Sequence, residues 1–239
     1  MHTALKSDAS SWEGGGWRAV EAQHKNATMA LAHGNLRRQS ILEDIIEEAK
    51  PALPTTAVGL HFLLATPFRY QSPPPAGSRF RAKADPGVFY GAETIKAACA
   101  EAGYWRLQFW MDSEGLSGKP AWMPITLFEF HAATQWCLYL TRPPFLADRA
   151  AWANPNDYRK TQALARDALA NGIEMIRYES VRLPVEGRCL AILTPEVFRA
   201  VPEPFQHQQQ SWNLFIEPPS LTSWQRTLDG DSFEIRYGN

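Results

Sequence analysis

The chain has 239 residues, of which 45% are hydrophobic and 21% charged, with a formal net charge of -1. This composition is typical of a folded, soluble protein, and the balanced charge gives no electrostatic reason to expect binding to DNA or RNA. No apolar run approaches the roughly 20 residues of a membrane-spanning helix, and nothing at the N-terminus resembles a signal peptide. The three cysteines, Cys99, Cys137 and Cys189, form no CxxC pair and lie in apolar runs, which favours reduced thiols and a cytoplasmic protein.

The sequence pattern divides the chain into three parts. Residues 1–16 are polar and end in three glycines, which indicates a flexible leader. Residues 17–56 are predicted to form an N-terminal helical extension. Residues 57–239 are then expected to form a single globular domain.

The helical extension is predicted from capping and periodicity. The pattern over residues 17–49 is helical, and Ser40 followed by Glu43 is typical of a capping box at a helix N-terminus. Apolar positions then recur with the spacing of one helix face: Leu42, Ile45, Ile46 and Ala49. Pro51 and Pro54 are expected to end this unit.

A predicted strand over Val58–Leu64 leads into a loop that is rich in arginine, proline and glycine. The loop carries two arginine–aromatic pairs, Arg69-Tyr70 and Arg79-Phe80, and the triple proline Pro73-Pro74-Pro75 between them predicts an extended segment. A guanidinium is rarely buried without a partner, and its planar fork suits a carboxylate or a phosphate. The loop therefore indicates a site for a phosphorylated small molecule.

The segment after this loop is predicted to place a carboxylate at a cleft. Val88–Tyr90 is expected to be a short strand and Ala92–Trp105 a helix with one apolar stripe. Glu101 lies off that stripe, on the same side as Thr94 and Ala97. Its side chain is therefore expected to point toward solvent or a cleft.

The rest of the chain is predicted to be mostly strands, with one helix over Tyr158–Ala170. Strands are indicated by alternation or by short apolar runs at Ile125–Phe130, Gln135–Leu140, Met175–Arg182, Cys189–Leu193, Trp212–Ile216, Leu221–Thr227 and Phe233–Tyr237. Strands and helices do not alternate regularly. This favours the α+β class, with mixed, short-stranded sheets and a few helices, over a doubly wound sheet.

Familiar catalytic motifs are absent from the sequence, including GxGxxG after a strand, GxxxxGK[ST], HExxH and GxSxG. The six histidines lack the spacing of metal ligands, so no metal site is predicted. His61 and His131 lie within apolar runs and are interpreted as hydrogen-bonded structural residues. The remaining candidates are arginine, tyrosine, glutamate and serine, and each of these taken alone is more often structural than catalytic.

The ordered set of these candidates resembles the RES domain family, which is named for its Arg, Glu and Ser. The resemblance is carried by TPFRY, GSRF and PGVFYGAETIKAACAE, followed further along the chain by NGIEMIRYESVR. The run WRAVEAQH near the N-terminus resembles the leader of a longer RES subgroup. The family residues fall on Arg79, Glu101 and Ser180, and Glu93 is the alternative if the helix aligns differently.

The resemblance implies a fold similar to that of ADP-ribosyltransferases and an enzyme that cleaves the nicotinamide–ribose bond of NAD+ by hydrolysis or phosphorolysis. Glu101 would stabilise the positive charge that develops on the ribose, together with Arg79 and Ser180 as catalytic residues, and no metal is required. The residues that the resemblance places around NAD+ are Arg69, Tyr70, Arg79, Tyr90 and Ser180.

The resemblance also implies a toxin of a toxin–antitoxin pair, whose partner is an Xre-type antitoxin protein. Two other functions remain open at this point. The same pocket could transfer ADP-ribose to a protein, as a mono-ADP-ribosyltransferase does, or the chain could be a non-catalytic interaction protein. Self-association into a homo-oligomer is open as well, whereas nucleic acid and membrane are not expected as direct partners.

Overall fold

The computed structural model describes residues 4–22, 31–70, 77–183, 187–199, 208–228 and 230–238. The described helices are α1 (Ala4–Ser7), α2 (Leu36–Glu48), α3 (Phe62–Arg69), α4 (Ile95–Asp112), α5 (Arg149–Trp152) and α6 (Arg159–Ala170). The described strands are β1 (Ser10–Glu21), β2 (Phe89–Ala92), β3 (Ala121–Tyr139), β4 (Met175–Glu179), β5 (Arg188–Ile192), β6 (Gln209–Glu217), β7 (Leu221–Arg226) and β8 (Ser232–Arg236). None of these helices is long and apolar enough to cross a membrane.

The described strands form one mixed sheet in the order β1-β2-β5-β4-β3-β6-β7-β8. Neighbours pair antiparallel, except that β3 and β4 are parallel. The 19-residue strand β3 also pairs with β1, so β1, β2, β5, β4 and β3 close into a ring. The other edge of β3 pairs with β6 near its start and with β4 at its end.

Helix α4 packs closely against this sheet because its inner face carries small residues. Ala97 and Ala100 have no exposed surface. A Cβ atom added to Gly103 would lie 2.7 Å from the hydroxyl of Tyr237, which itself donates a hydrogen bond to the carbonyl of Ala100 at 3.0 Å. Short side chains therefore bring the helix backbone, and with it Glu101, next to the strands.

The prediction for the N-terminal residues was wrong. Residues 10–21 form β1, which pairs with β3 in the same sheet as the other described strands, so residues 10–16 are part of the fold and not a flexible leader. Gly16, the last of the three glycines, serves packing rather than flexibility. A Cβ atom added to Gly16 or to Gly91 would overlap the buried ring of Phe130.

The helix predicted within residues 17–56 is present but begins later than the helical pattern suggested. Its N-cap is Asn35, whose side-chain oxygen accepts a hydrogen bond from the backbone N–H of Arg38 at 3.0 Å. Ser40 lies inside the helix and is not its cap. The helix ends before Pro51, as predicted.

The predicted strand at Val58–Leu64 was wrong as well, because this run leads into the helix α3. His61 is the N-cap of α3, and its Nδ1 accepts a hydrogen bond from the backbone N–H of Leu63 at 3.3 Å. A short apolar run fits a buried helix turn as well as a strand. His61 is thus a structural residue, as predicted. The segment Pro73-Pro74-Pro75 lies outside the described residues.

The predictions for the second half of the chain agree better with the structure. The separate strands predicted at Ile125–Phe130 and Gln135–Leu140 are two parts of the continuous strand β3. The predicted helix at Tyr158–Ala170 corresponds to α6, and the later predicted strands correspond to β4 through β8. The prediction of a mixed sheet with a few helices is confirmed.

We expect Gly16→Ala to lower the free energy of unfolding by about 1–3 kcal/mol, because the added methyl group overpacks the space filled by Phe130. Denaturant unfolding of the parent and the variant measures the change. Gly14→Ala is the matched control, since its Cβ would meet only Trp12, at 3.4 Å. Equal effects of the two substitutions would contradict this account of the glycines.

Candidate active site

A cavity of about 190 Å³ lies where β1, β2 and the first half of α4 meet. Its walls combine basic, acidic and aromatic side chains. The polar and aromatic part of the lining is Trp17, Arg18, Ser78, Arg79, Tyr90, Glu101, Trp105, Tyr158, Tyr178 and Arg182.

Glu101 is the acidic residue in this lining. It projects from the second turn of α4, whose first turn is capped by Thr94, the side chain of which accepts a hydrogen bond from the N–H of Ala97 at 3.2 Å. Oε1 of Glu101 accepts a hydrogen bond from Oγ of Ser180 at 2.6 Å, and Sγ of Cys189 donates to the same oxygen at 3.9 Å. Both partners are neutral. Among the described residues, no basic side chain forms an ion pair with Glu101.

Ser180 lies directly after β4 and has no exposed surface. Its Oγ accepts hydrogen bonds from the backbone N–H groups of Arg182 at 3.1 Å and Leu183 at 2.9 Å. The same hydroxyl donates its hydrogen bond to Glu101. Gly187 permits this turn, because an added Cβ would lie 2.7 Å from the Cβ of Ser180. The hydroxyl is therefore fully engaged in fixing the orientation of the Glu101 carboxylate.

Arg79 is 8% exposed and joins the cavity wall to the loop after α5. Its Nη1 donates hydrogen bonds to the carbonyls of Trp152 at 3.0 Å and Asn154 at 2.9 Å. The guanidinium carbon lies 4.8 Å from the centre of the Tyr158 ring. The buried Thr161 hydroxyl donates to the carbonyl of Arg79 and holds its backbone in place.

The hydroxyl of Tyr90 closes the loop that carries Arg79. It accepts a hydrogen bond from the N–H of Phe80 at 3.0 Å and lies 2.7 Å from Oγ of Ser78. Burial raises the pKa of Tyr90 to about 12, so the phenol keeps its proton at neutral pH. Tyr90 thus anchors the loop through its hydroxyl while its ring remains part of the cavity lining.

Arg18 is a site residue that the sequence analysis missed. Within the described ranges its Nη1 is buried without a hydrogen-bond partner, and its guanidinium carbon lies 4.5 Å from the centre of the Phe89 ring. Burial lowers the pKa of Arg18 to about 10, which leaves the group protonated at neutral pH. A guanidinium nitrogen that is buried without a hydrogen bond is costly. The signal was present in the alternating pattern around Trp17 and Arg18, but the preceding glycines were interpreted as a flexible leader.

Two residues predicted to bind the ligand lie elsewhere. Arg69 forms an ion pair with Glu47 and donates from Nε to the carbonyl of Pro51, so its charge is already neutralised. Tyr70 follows α3, and its carbonyl accepts a hydrogen bond from Arg81. Neither residue belongs to the cavity lining, so their binding of the ligand stays a prediction from the sequence.

Glu93, the alternative to Glu101, lies outside the cavity lining and is occupied by a bidentate ion pair. Its two carboxylate oxygens accept from Nε and Nη2 of Arg177 at 2.6 and 2.7 Å, and Oε1 also accepts from Nε1 of Trp12 at 3.3 Å. These bonds hold the pKa of the Glu93 carboxyl below its usual range even though desolvation, the largest single influence, acts in the opposite direction. Within the described ranges, no group of three or more His, Cys, Asp or Glu side chains could hold a metal ion.

A family model described as RES domain matches residues 54–216. The comparison with curated proteins finds no match. Among solved structures, the chain is similar to the crystal structure of the M.tuberculosis MbcT-MbcA toxin-antitoxin complex, with 11% sequence identity and a TM-score of 0.44. That alignment covers 85% of this chain and 93% of the other.

We expect Tyr90→Phe to lower the free energy of unfolding by about 1–3 kcal/mol, because the N–H of Phe80 loses its buried acceptor. Urea unfolding measures the change. Tyr158→Phe is the control, since it removes only an exposed hydrogen bond to the carbonyl of Pro155. If both variants were as stable as the parent, the Tyr90 hydroxyl would not be what holds the Arg79 loop.

Proposed function

The chain belongs to the RES domain family, and we propose that it is an enzyme that cleaves the nicotinamide–ribose bond of NAD+ and releases nicotinamide. One observation carries the proposal. The cavity presents a carboxylate without a basic partner, Glu101, together with three arginines in the same lining: Arg18, Arg79 and Arg182. NAD+ has a cationic nicotinamide end and an anionic pyrophosphate, so it matches both parts of this charge distribution.

The chemistry that this cavity supports is stabilisation of a developing cation. When the bond between nicotinamide and ribose breaks, the electron pair leaves with nicotinamide and positive charge grows on the ribose carbon, as in glycoside cleavage. A carboxylate that is oriented before the reaction, in a site with little water, stabilises that charge strongly. Nicotinamide leaves as a neutral base, so no general acid is required. Attack by water then yields ADP-ribose and a proton, and attack by phosphate yields the corresponding ADP-ribose phosphate.

The proposed role of Ser180 changes from the one that the sequence implied. Its hydroxyl is buried and donates to Glu101, so it acts as a positioning residue rather than as a contact for the carboxamide or a ribose hydroxyl. Arg79 partly serves the loop after α5, which leaves Arg18 as the cation best placed to hold the pyrophosphate. The aromatic rings of Tyr90, Trp105 and Tyr158 supply flat apolar walls for the planar parts of the dinucleotide.

We extend the proposal to the cellular role that family membership suggests. A protein that consumes NAD+ in the cytoplasm is toxic to the cell that makes it unless it is restrained. We therefore propose that this chain is a toxin and that its partner is an antitoxin protein of the Xre type. The support for this part is the family match alone.

We expect Glu101→Gln to lower the rate of nicotinamide release by on the order of 10²–10³-fold or more, because the amide removes the negative charge but keeps the shape. The measurement is loss of NAD+ and release of nicotinamide by the purified protein. Glu93→Gln is the matched control, and we expect it to lower stability while activity is retained, since Glu93 lies outside the cavity lining.

The outcomes of this experiment separate the competing functions. Label from NAD+ that appears on a protein instead of on free ADP-ribose or its phosphate would favour a mono-ADP-ribosyltransferase. Absence of NAD+ binding by the parent would overturn the proposal. If Glu93→Gln rather than Glu101→Gln abolished the reaction, the assignment of the carboxylate would be wrong.

We expect Arg18→Gln to raise the KM for NAD+ by about 10- to 100-fold, with a smaller change in kcat. The reason is that a charge-assisted hydrogen bond to the substrate contributes about 1.5–3 kcal/mol of binding in both the ground state and the transition state. Steady-state kinetics separate the two constants. Arg69→Gln is the matched control, with no change in KM, because Arg69 is paired with Glu47 away from the cavity. A loss confined to kcat would contradict a binding role for Arg18.

A further inference from the structure

The outer face of α2 is apolar and exposed to solvent. Gln39 is its only buried residue, whereas Ile41 is 51% and Ile45 57% exposed. The helix touches the rest of the protein on the other side, where Glu47 forms an ion pair with Arg69. Exposed isoleucines in line on a helix are costly in water and mark an interaction surface.

Four exposed residues form a seam along this outer face: Arg38, Ile41, Ile45 and Glu48. Their spacing of three, four and three residues is that of the contact positions in a pair of packed helices. At 3.6 residues per turn, they fall within an arc of about 80°. Gln39 and Glu47, which contact the protein body, lie about 140° from the middle of that arc. The seam therefore faces away from the fold.

We propose that this seam is a homodimer interface, in which α2 packs antiparallel against α2 of a second copy of the chain. A two-fold axis at the level of Glu43 sets Ile41 of each copy beside Ile45 of the other. The same axis places Arg38 beside Glu48 of the second copy, once at each end of the helix pair. The apolar centre and both charged ends are thus satisfied by one symmetric arrangement.

The charge distribution along α2 favours antiparallel over parallel pairing with a second copy. Basic residues, Arg37 and Arg38, lie in the first half of the helix, and acidic residues, Glu43, Asp44, Glu47 and Glu48, lie in the second half. A parallel pair would bring like charges together, whereas an antiparallel pair brings opposite charges together. In the antiparallel pair the two helix dipoles also point in opposite directions, which is favourable. Among the described residues, neither Arg38 nor Glu48 forms an ion pair within the chain.

The position and size of α2 agree with such a role. The helix precedes the segment that the RES domain model matches, residues 54–216, so the interface is an addition to the family core. Its 13 residues span about 20 Å, which makes a small interface. We therefore expect a dimer that dissociates at concentrations on the order of micromolar.

The first test is the mass of the purified full-length chain, measured by sedimentation velocity across a concentration series in the micromolar range. We expect a reversible shift from monomer to dimer in the parent. Ile45→Asp is expected to remain monomeric across the series. Leu228→Asp, which changes an exposed apolar side chain in the turn after β7, is expected to dimerise like the parent. A parent that stays monomeric at every concentration overturns the proposal. This holds even if α2 is then found to bind a different protein.

The second test addresses the antiparallel register. Arg38→Glu and Glu48→Arg are each expected to weaken dimerisation about tenfold or more, because each creates two like-charge contacts across the two-fold axis. The double variant Arg38→Glu/Glu48→Arg restores opposite charges at both ends and is expected to recover dimerisation. Circular dichroism confirms that each variant is folded. If the double variant is no better than the single ones, the proposed pairing is wrong.

Discussion

The hydrogen bond between Ser180 and Glu101 is the contact on which the candidate site depends. It joins α4 to the turn after β4, two segments that are 79 residues apart along the chain. Both sides of the contact are tightly constrained: the small inner face of α4 lets the helix approach the sheet, and the turn that holds Ser180 requires Gly187. The neutral Ser180 donor orients the carboxylate without pairing it with a positive charge. The Glu101 carboxylate is therefore fixed in position and is not neutralised by an ion pair.

The arginines fall into two groups: some are paired with acidic side chains, and others lie in the cavity lining without such a partner among the described residues. Arg69 and Arg177 are paired with acidic side chains outside the cavity lining, so their charges serve the fold. In the part of the chain that the structure describes, Arg18 has a buried nitrogen without a hydrogen-bond partner, and Nη1 of Arg79 donates to two neutral carbonyls. Their charges remain available to an anion. A guanidinium nitrogen that is buried without a hydrogen bond is destabilising, and an anion bound in the cavity would relieve that cost at Arg18.

Packing around Phe130 explains why β1 can take part in the site at all. The ring of Phe130 occupies space that is left open by Gly16 on β1 and Gly91 on β2. Strand β1 then pairs with β3 along nearly its whole length and closes the ring of five strands. Trp17 and Arg18 enter the cavity lining as a consequence, since they directly follow the glycine that makes room for the ring.

The features that depend on local periodicity and residue type could be predicted from the sequence. These were the α+β class, the helix that carries Glu101, most strands after residue 121, and the family to which the ordered set of Arg79, Glu101 and Ser180 belongs. Tertiary structure alone decided what each charge is bonded to, because that depends on which distant segments meet. In the folded chain Arg69 pairs with Glu47 outside the cavity lining, Arg18 lies on a strand that lines the cavity, and the Ser180 hydroxyl donates a hydrogen bond to Glu101. Local patterns record the preference of a segment for helix or strand, whereas the partner of a side chain is set by long-range packing that no short window of sequence contains.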